Sequence, residues 1–141
     1  MSEIKLISTE QLANLILDDS KLVGKDFVVI DVRDNSRAYG YIVNSINVFA
    51  NIFEEDMSAL IEELKDVKQV IFHCNRSRSS GPKSAKLYQE ALLSKLPETT
   101  QEVCVLEGGF AKFQLEYHAN DKLVISHQNN YWEEFLKKNP L

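Results

Sequence analysis

Residues 70–83 read Val70-Ile71-Phe72-His73-Cys74-Asn75-Arg76-Ser77-Arg78-Ser79-Ser80-Gly81-Pro82-Lys83. A short apolar run ends in histidine and cysteine, and a polar turn follows. Pro82 then stands where a helix tolerates proline, in its first turn. Beyond it Ala85, Tyr88, Ala91, Leu92 and Leu96 recur at helical spacing. The stretch is therefore a strand, a turn and a helix. Working outward, Phe27-Val28-Val29-Ile30 is a continuous apolar run, as in a strand covered on both faces of a parallel sheet. Val103-Cys104-Val105-Leu106 is another strand, Ser45-Ile46-Asn47-Val48 a shorter one, and Lys5-Leu6-Ile7 a weak opening one. Ser8, with Gln11 three residues on, predicts a capping box for a helix whose face is Leu12, Leu15 and Ile16. Phe53, Met57, Leu60, Ile61 and Leu64 form the apolar face of a second helix, with Glu54, Glu55, Asp56, Glu62 and Glu63 toward water. Gly108-Gly109 turns the chain into a helical stretch through Phe113, and a last short helix falls around Tyr131 to Lys138, before Pro140. Strands alternating with helices require crossover connections. The expected fold is α/β, a small five-stranded, mainly parallel sheet with helices on both faces.

The chain has 141 residues, one domain's worth, and carries no internal repeat, low-complexity tract or linker. Its 44% apolar and 26% charged residues are those of a folded, soluble protein rather than a disordered one. No apolar run approaches the roughly 18 residues of a spanning helix, and the opening residues lack the basic and apolar segments of a secretory signal. A net charge of −5 argues against nucleic acid or an anionic membrane as the main partner. Two cysteines, Cys74 and Cys104, make neither a disulfide framework nor a zinc set. A reduced compartment follows as the default, so a cytoplasmic location is expected, with nuclear access left open. His118 and His127 lie apart, without cysteine or histidine neighbours, and no metal site is expected.

Ligands of parallel α/β sheets sit beyond the carboxyl ends of the strands. That directs attention to the turn after Phe72. A seven-residue polar turn entering a helix can aim several backbone N–H groups at one anion, and the helix dipole adds to the attraction. Between Asn75 and Lys86 stand four cations (Arg76, Arg78, Lys83 and Lys86) and no acid, within an acidic chain. A thiol held there is favoured as its thiolate, the nucleophilic form. A nucleophile inside an oxyanion cradle is what attack on phosphorus, arsenic or sulfane sulfur requires. Cys104, in mid-strand, reads instead as a small buried hydrophobe.

His73-Cys74-x5-Ser80-Gly81-Pro82 resembles the His-Cys-x5-Arg-Gly-Pro loop of the rhodanese superfamily, in its branch of cell-division-cycle dual-specificity phosphatases and eukaryotic arsenate reductases. Val29-Ile30-Asp31-Val32-Arg33 resembles that family's strand-end Asp-x-Arg. Gly40-Tyr41-Ile42-Val43-Asn44-Ser45-Ile46-Asn47 resembles its Gly-His-Ile-x-Gly-Ala-x-Asn segment, with Tyr41 for the usual histidine. Val105-Leu106-Glu107-Gly108-Gly109-Phe110 is similar to its Leu-x-Gly-Gly-Phe. The ordered motifs cover about residues 8–117 of a single domain 1–141, leaving a helical tail of about 118–141. The resemblance implies that Cys74 forms a thiophosphate, thioarsenate or persulfide. It implies an oxyanion held by the loop of Asn75, Arg76, Ser77, Arg78, Ser79, Ser80 and Gly81 through backbone amides. Arg76 or Arg78 is read as aiding them in place of the family's arginine, although side chains at those positions in the family mostly splay toward solvent. Asp31, Arg33, His73, Gly108 and Gly109 are implied as structural support.

One departure weighs against turnover. The family's phosphate-clamping arginine would fall at position 80, where this chain has Ser80, a single hydroxyl in place of a bidentate fork. Asn75 and Ser79 stand where some relatives carry glutamate, so the loop supplies no carboxylate acid. Six-residue sulfurtransferase loops place arginine five positions after cysteine, here Ser79. The leading expectation is a cysteine-dependent phosphatase or arsenate reductase. An impaired oxyanion- or phosphoprotein-binding module and a thiosulfate-type sulfurtransferase are the alternatives. No bound cofactor is expected; a reductase would need glutathione or another external thiol, since Cys104 lies within a strand. Phosphoprotein or a small oxyanion is the expected partner, and a weak homodimer is left open. Tyr131, Trp132, Phe135 and Leu136 are read as packing the last helix onto the domain, rather than as a partner-docking strip.

Overall fold

A computed structural model describes residues 3–126 and 131–140. His127 and the side chains of Phe53 and Tyr131, on which sequence readings were made, lie outside what it describes. Strand β1 (Lys5–Ile7) leads into helix α1 (Thr9–Leu17) through the expected capping box: Ser8 Oγ accepts from the Gln11 N–H at 3.0 Å, and Gln11 Oε1 from the Ser8 N–H at 2.8 Å. Strand β2 (Val28–Asp31) is buried throughout. A 3₁₀ turn (Asn35–Tyr39) precedes the short strands β3 (Gly40–Ile42) and β4 (Ile46–Asn47). A second 3₁₀ turn (Ala50–Ile52) enters α2 (Phe53–Leu64). Then come β5 (Gln69–His73), α3 (Ser80–Lys95), β6 (Glu102–Leu106), α4 (Gly109–Tyr117), β7 (Val124–Ser126) and α5 (Tyr131–Lys138).

The five strands expected from the sequence make one sheet in the order β1-β6-β5-β2-β4, every pairing parallel. Its pleat sorts the core. Val70 and Phe72 of β5, with Val28 and Ile30 of β2, pack on Leu60, Ile61 and Leu64 of α2 and on Ala85, Tyr88 and Leu92 of α3. Ile71, Val29 and Cys104 point the other way, onto Leu12 and Ala13 of α1, Phe110 and Phe113 of α4, and Trp132 of α5. Helices on both faces explain why the central strands are apolar at every position. The sequence reading omitted β3 and β7, which form a separate antiparallel ribbon with Ile42 opposite Val124. The tail beyond residue 117 thus opens with a strand before its helix. Three-residue strands carry too little pattern to be read locally; their pairing creates them. The reading of the last helix as packing is met by Trp132, which is buried, with Phe135 and Leu136 half-buried against the same cluster.

One buried polar network seals the α2–α3 side. Gln101 Nε2 donates to the carbonyls of Leu64 (2.7 Å) and Val67 (2.8 Å), and its Oε1 accepts from the Tyr88 hydroxyl at 2.7 Å. Gln101→Ala would strand all three partners in a dry site. Each such orphan costs about 1–3 kcal/mol, so a loss of about 3 kcal/mol in urea-denaturation stability is expected. A change below about 0.5 kcal/mol, within the range of an ordinary surface substitution, would show the network to be dispensable.

Candidate active site

Strand β5 lies in the middle of the sheet and ends at His73, so the residue after it is delivered to the carboxyl edge, where ligands of such sheets bind. That residue is Cys74, partly exposed. The backbone beyond it is held from two sides. A Cβ on Gly81, in the first turn of α3, would stand 3.0 Å from the Cys74 nitrogen, so a larger residue would have to push that backbone aside by a few tenths of an ångström. A Cβ on Gly109 would meet the Asn75 carbonyl oxygen at 2.5 Å, and Gly109 has a φ of +62°. Starting from Gly109, α4 donates its Phe110 N–H to the Cys74 carbonyl (3.0 Å) and its Ala111 N–H to that of Asn75 (2.7 Å). Gly108, at φ +79°, makes the turn that aims α4 this way. The next residues are bent sharply: Ser77 has a φ of +52°, and Ser79 opens α3 without a side-chain cap bond. The opening N–H groups of α3 are thus not taken by their own cap.

Beneath the loop lies a buried ionic cluster. Asp31, at the end of β2, accepts from Arg33 Nε (3.0 and 3.1 Å), from Arg33 Nη2 (2.8 Å), from the Arg33 N–H (3.0 Å) and from Arg37 Nη1 (2.8 Å). Arg33 also donates to the Gly40 carbonyl at 2.7 Å and to Asn75 Oδ1 at 3.3 Å, and its guanidinium lies 4.3 Å from the Phe110 ring centroid. Burial pushes the Asp31 carboxyl upward. The positive groups facing it, His73 when protonated and the Arg33 guanidinium and backbone N–H, outweigh that and hold it well below the usual carboxylate range. Burial lowers His73 against the upward pull of the Asp31 carboxylate; its Nδ1 lies 3.0 Å from the Cys74 carbonyl, an acceptor only, so Nδ1 carries a proton.

Cys74, Asn75, Arg76, Arg78, Ser79 and Ser80 line one cavity of about 460 Å³. Its other walls are Val32, Arg33, Asp34, Ser36, Ala50, Asn51 and Phe135. Of the residues expected to hold an oxyanion, Ser77 borders a separate cavity with Gly108 and Lys112, and Gly81 backs the Cys74 amide. A larger cavity, about 630 Å³, sits at the opposite edge of the sheet beside Gln69 and Glu102, and holds no cysteine or histidine. Cys104 is buried, its thiol pushed up by that burial. Among the described residues no three His, Cys, Asp or Glu side chains gather as a metal site, and no helix is long and apolar enough to cross a membrane.

Among the contributors that sequence reasoning missed are Arg37, Asp34, Asn51 and Phe135. Arg37 had a faint local signal in lying six residues beyond Asp31, but a 3₁₀ turn is needed to bring it back. The other three come from separate segments that meet only at this cavity.

The pattern of the family described as "Rhodanese-like domain" matches residues 8–116. "Arsenical-resistance protein 2" of Saccharomyces cerevisiae is 33% identical over 132 residues, 87% of this chain and 98% of that protein. "Dual specificity phosphatase Cdc25" of Arabidopsis thaliana is 33% identical over 87 residues, 60% of each chain. The solved structure of the As-Sb reductase from Leishmania major superposes with a TM-score of 0.71 at 29% identity, covering 96% of this chain and 97% of that one.

Asp31→Asn would leave the Arg33 guanidinium buried against one neutral oxygen. A loss of about 3–5 kcal/mol in stability is expected, as for other broken buried pairs. Because the folded carboxyl is held below its ordinary value of about 3.9, the contribution is complete above that value and lost as pH falls through the folded one. Chemical denaturation should therefore give a wild-type advantage that is flat between about pH 8 and pH 5 and shrinks below about pH 4. An advantage that shrank already between pH 8 and pH 6 would contradict this assignment.

Proposed function

The chain belongs to the rhodanese-like domain family, and on that premise we propose that it is a cysteine-dependent enzyme of the phosphatase and arsenate-reductase type, with Cys74 as its nucleophile. The observation that carries the reading is the place of Cys74: partly exposed at the carboxyl end of a central strand, in a cavity shared with two loop guanidiniums, its own carbonyl tied down by α4. The similarity to a yeast arsenical-resistance protein and to a plant dual-specificity phosphatase supports the chemistry.

In this reading the Cys74 thiolate attacks phosphorus in line with the leaving oxygen. An S–P bond forms as the P–O bond breaks, and the departing oxygen takes a proton. Asp34 is the carboxylate among the described residues lining the cavity, and in this reading it delivers that proton, an acid the loop itself does not supply. Water then attacks the thiophosphate, releasing phosphate and restoring the thiolate. With arsenate, the same attack expels water and leaves an S–As bond. An external thiol such as glutathione attacks the Cys74 sulfur, and the S–As electron pair stays on arsenic, which departs as arsenite. A second thiol frees Cys74 from the mixed disulfide. Cys104 is too buried to take either part. Backbone amides from Asn75 to Gly81 hold the oxyanion, and Ser80 offers a hydroxyl where a clamping arginine would stand.

That substitution favours a second reading, a module that binds an oxyanion or phosphoprotein without turning it over. Incubation with a chromogenic aryl phosphate and, separately, with arsenate plus glutathione distinguishes the two. Slow turnover is expected in at least one assay, lost in Cys74→Ser and raised about 10²- to 10³-fold in Ser80→Arg, the usual worth of one donor to developing charge. Wild type inactive in both, and unimproved by Ser80→Arg, would leave the binding reading; Cys74→Ser equal to an active wild type would end the claim for the thiol.

A further inference from the structure

We propose that Arg76 supplies the guanidinium that position 80 lacks, and that the backbone carbonyl of Pro140 is its resting acceptor, surrendered when an oxyanion enters beside Cys74. The inference rests on the cysteine and oxyanion reading above and names its clamp and its control. Arg76 stands two residues beyond the thiol, is half-buried, and lies between two cavities, lining both the one that holds Cys74 and the one bordered by Ser77 and Gly108. Its Nη2 donates to the Pro140 carbonyl at 2.7 Å. Its Nε is shut off from solvent with no hydrogen-bond partner among the described residues. The resting guanidinium thus holds one neutral acceptor and leaves one N–H unmet. An oxyanion is the stronger acceptor, since ionic hydrogen bonds are roughly twice as strong as neutral ones, and it can engage two N–H groups of the planar fork together. Exchange of carbonyl for oxyanion is therefore downhill at Arg76. Arg78 is the poorer candidate: it is exposed, so its field is screened by water and salt.

The tail is built to make that offer. Trp132 roots α5, its indole N–H reaching the Tyr39 carbonyl at 3.2 Å and its ring meeting Phe110 edge-on at 5.0 Å. Phe135, on the same helix, walls the cavity. Asn139 closes α5 with its N–H on the Phe135 carbonyl (2.8 Å), so Pro140 is presented just past the helix end. Releasing Arg76 breaks its bond to the Pro140 carbonyl, while the Trp132 contacts that dock α5 lie elsewhere. All of this lies beyond residue 116, where the family match ends.

Titration with inorganic phosphate, followed by calorimetry, tests the exchange. The variants are Arg76→Ala, Arg76→Lys, Arg78→Ala, and a chain ending at Asn139 as its amide, which removes the competing carbonyl without adding a carboxylate. Arg76→Ala should weaken binding tenfold or more, the range for a hydrogen bond to a charged group. Arg76→Lys should recover only part of that, and Arg78→Ala should cost less than about threefold, vanishing at high salt. The shortened chain should bind severalfold more tightly, a gain absent when Arg76→Ala is added. An Arg78→Ala loss exceeding that of Arg76→Ala, or a shortened chain that binds no better, overturns the proposal. Protection of Cys74 from iodoacetamide by phosphate separates the two levels. No protection in wild type removes the underlying reading, whereas protection undiminished in Arg76→Ala removes this inference alone.

Discussion

A carboxylate taken out of water has to be met by positive charge, and Asp31 is met by two guanidiniums at the end of the second strand. Most of the site hangs from that constraint. Arg33, fixed by the carboxylate, reaches the Gly40 carbonyl at the start of the antiparallel ribbon and Asn75 in the loop, and lies on the ring of Phe110. Arg37 ties the 3₁₀ turn to Ser45 through bonds of 2.9 and 3.0 Å. Asn47 closes the circuit by donating to the carbonyls of Asp31 and Arg33. One buried charge thereby ties the second strand to the loop, to the ribbon and to α4, at the edge of the sheet where Cys74 emerges.

The loop's own geometry rests on excluded volume rather than charge. Gly81 and Gly109 let the starts of two helices press on the backbone around Cys74 and Asn75, and any side chain at Gly109 would strike the Asn75 carbonyl. Cradle and clamp are consequently separable properties. The glycines, the capless start of α3 and the α4 hydrogen bonds that shape the cradle are all in place, while the side chain at position 80 is a serine. On the proposed function, a loop in that state would keep its reason to attract an anion and lose part of its means of stabilising the charge that develops in reaction. The guanidinium proposed to take that part is Arg76, half-buried and with its Nε unpartnered among the described residues.

The carboxyl-terminal segment changes the meaning of the site. It is not matched by the family pattern, yet it contributes a wall through Phe135, an anchor through Trp132 and an acceptor through Pro140. Parallel α/β sheets commonly build their sites from loops at one edge. Here Phe135 of α5 adds a wall to the cavity that holds Cys74, and Arg76 is bonded to the Pro140 carbonyl just past that helix.

The amino-acid sequence by itself determined the α/β class, the five strands of the main sheet, the capping box at Ser8 and the stretch that carries Cys74. Each is written in residues close to one another: a period of two or of 3.6, a cap three residues from its partner, a thiol beside a polar turn. The strand order β1-β6-β5-β2-β4, the ribbon joining Ile42 to Val124, the return of Arg37 to Asp31, and the meeting of Asp34 and Phe135 across one cavity were decided only by the tertiary structure. Arg76 and Pro140 are 64 residues apart, and nothing local to either signals the other. Such contacts exist because packing the two faces of the sheet brings distant segments to the same edge. Local pattern records which residues seek burial, while only the closed fold settles which of them become neighbours.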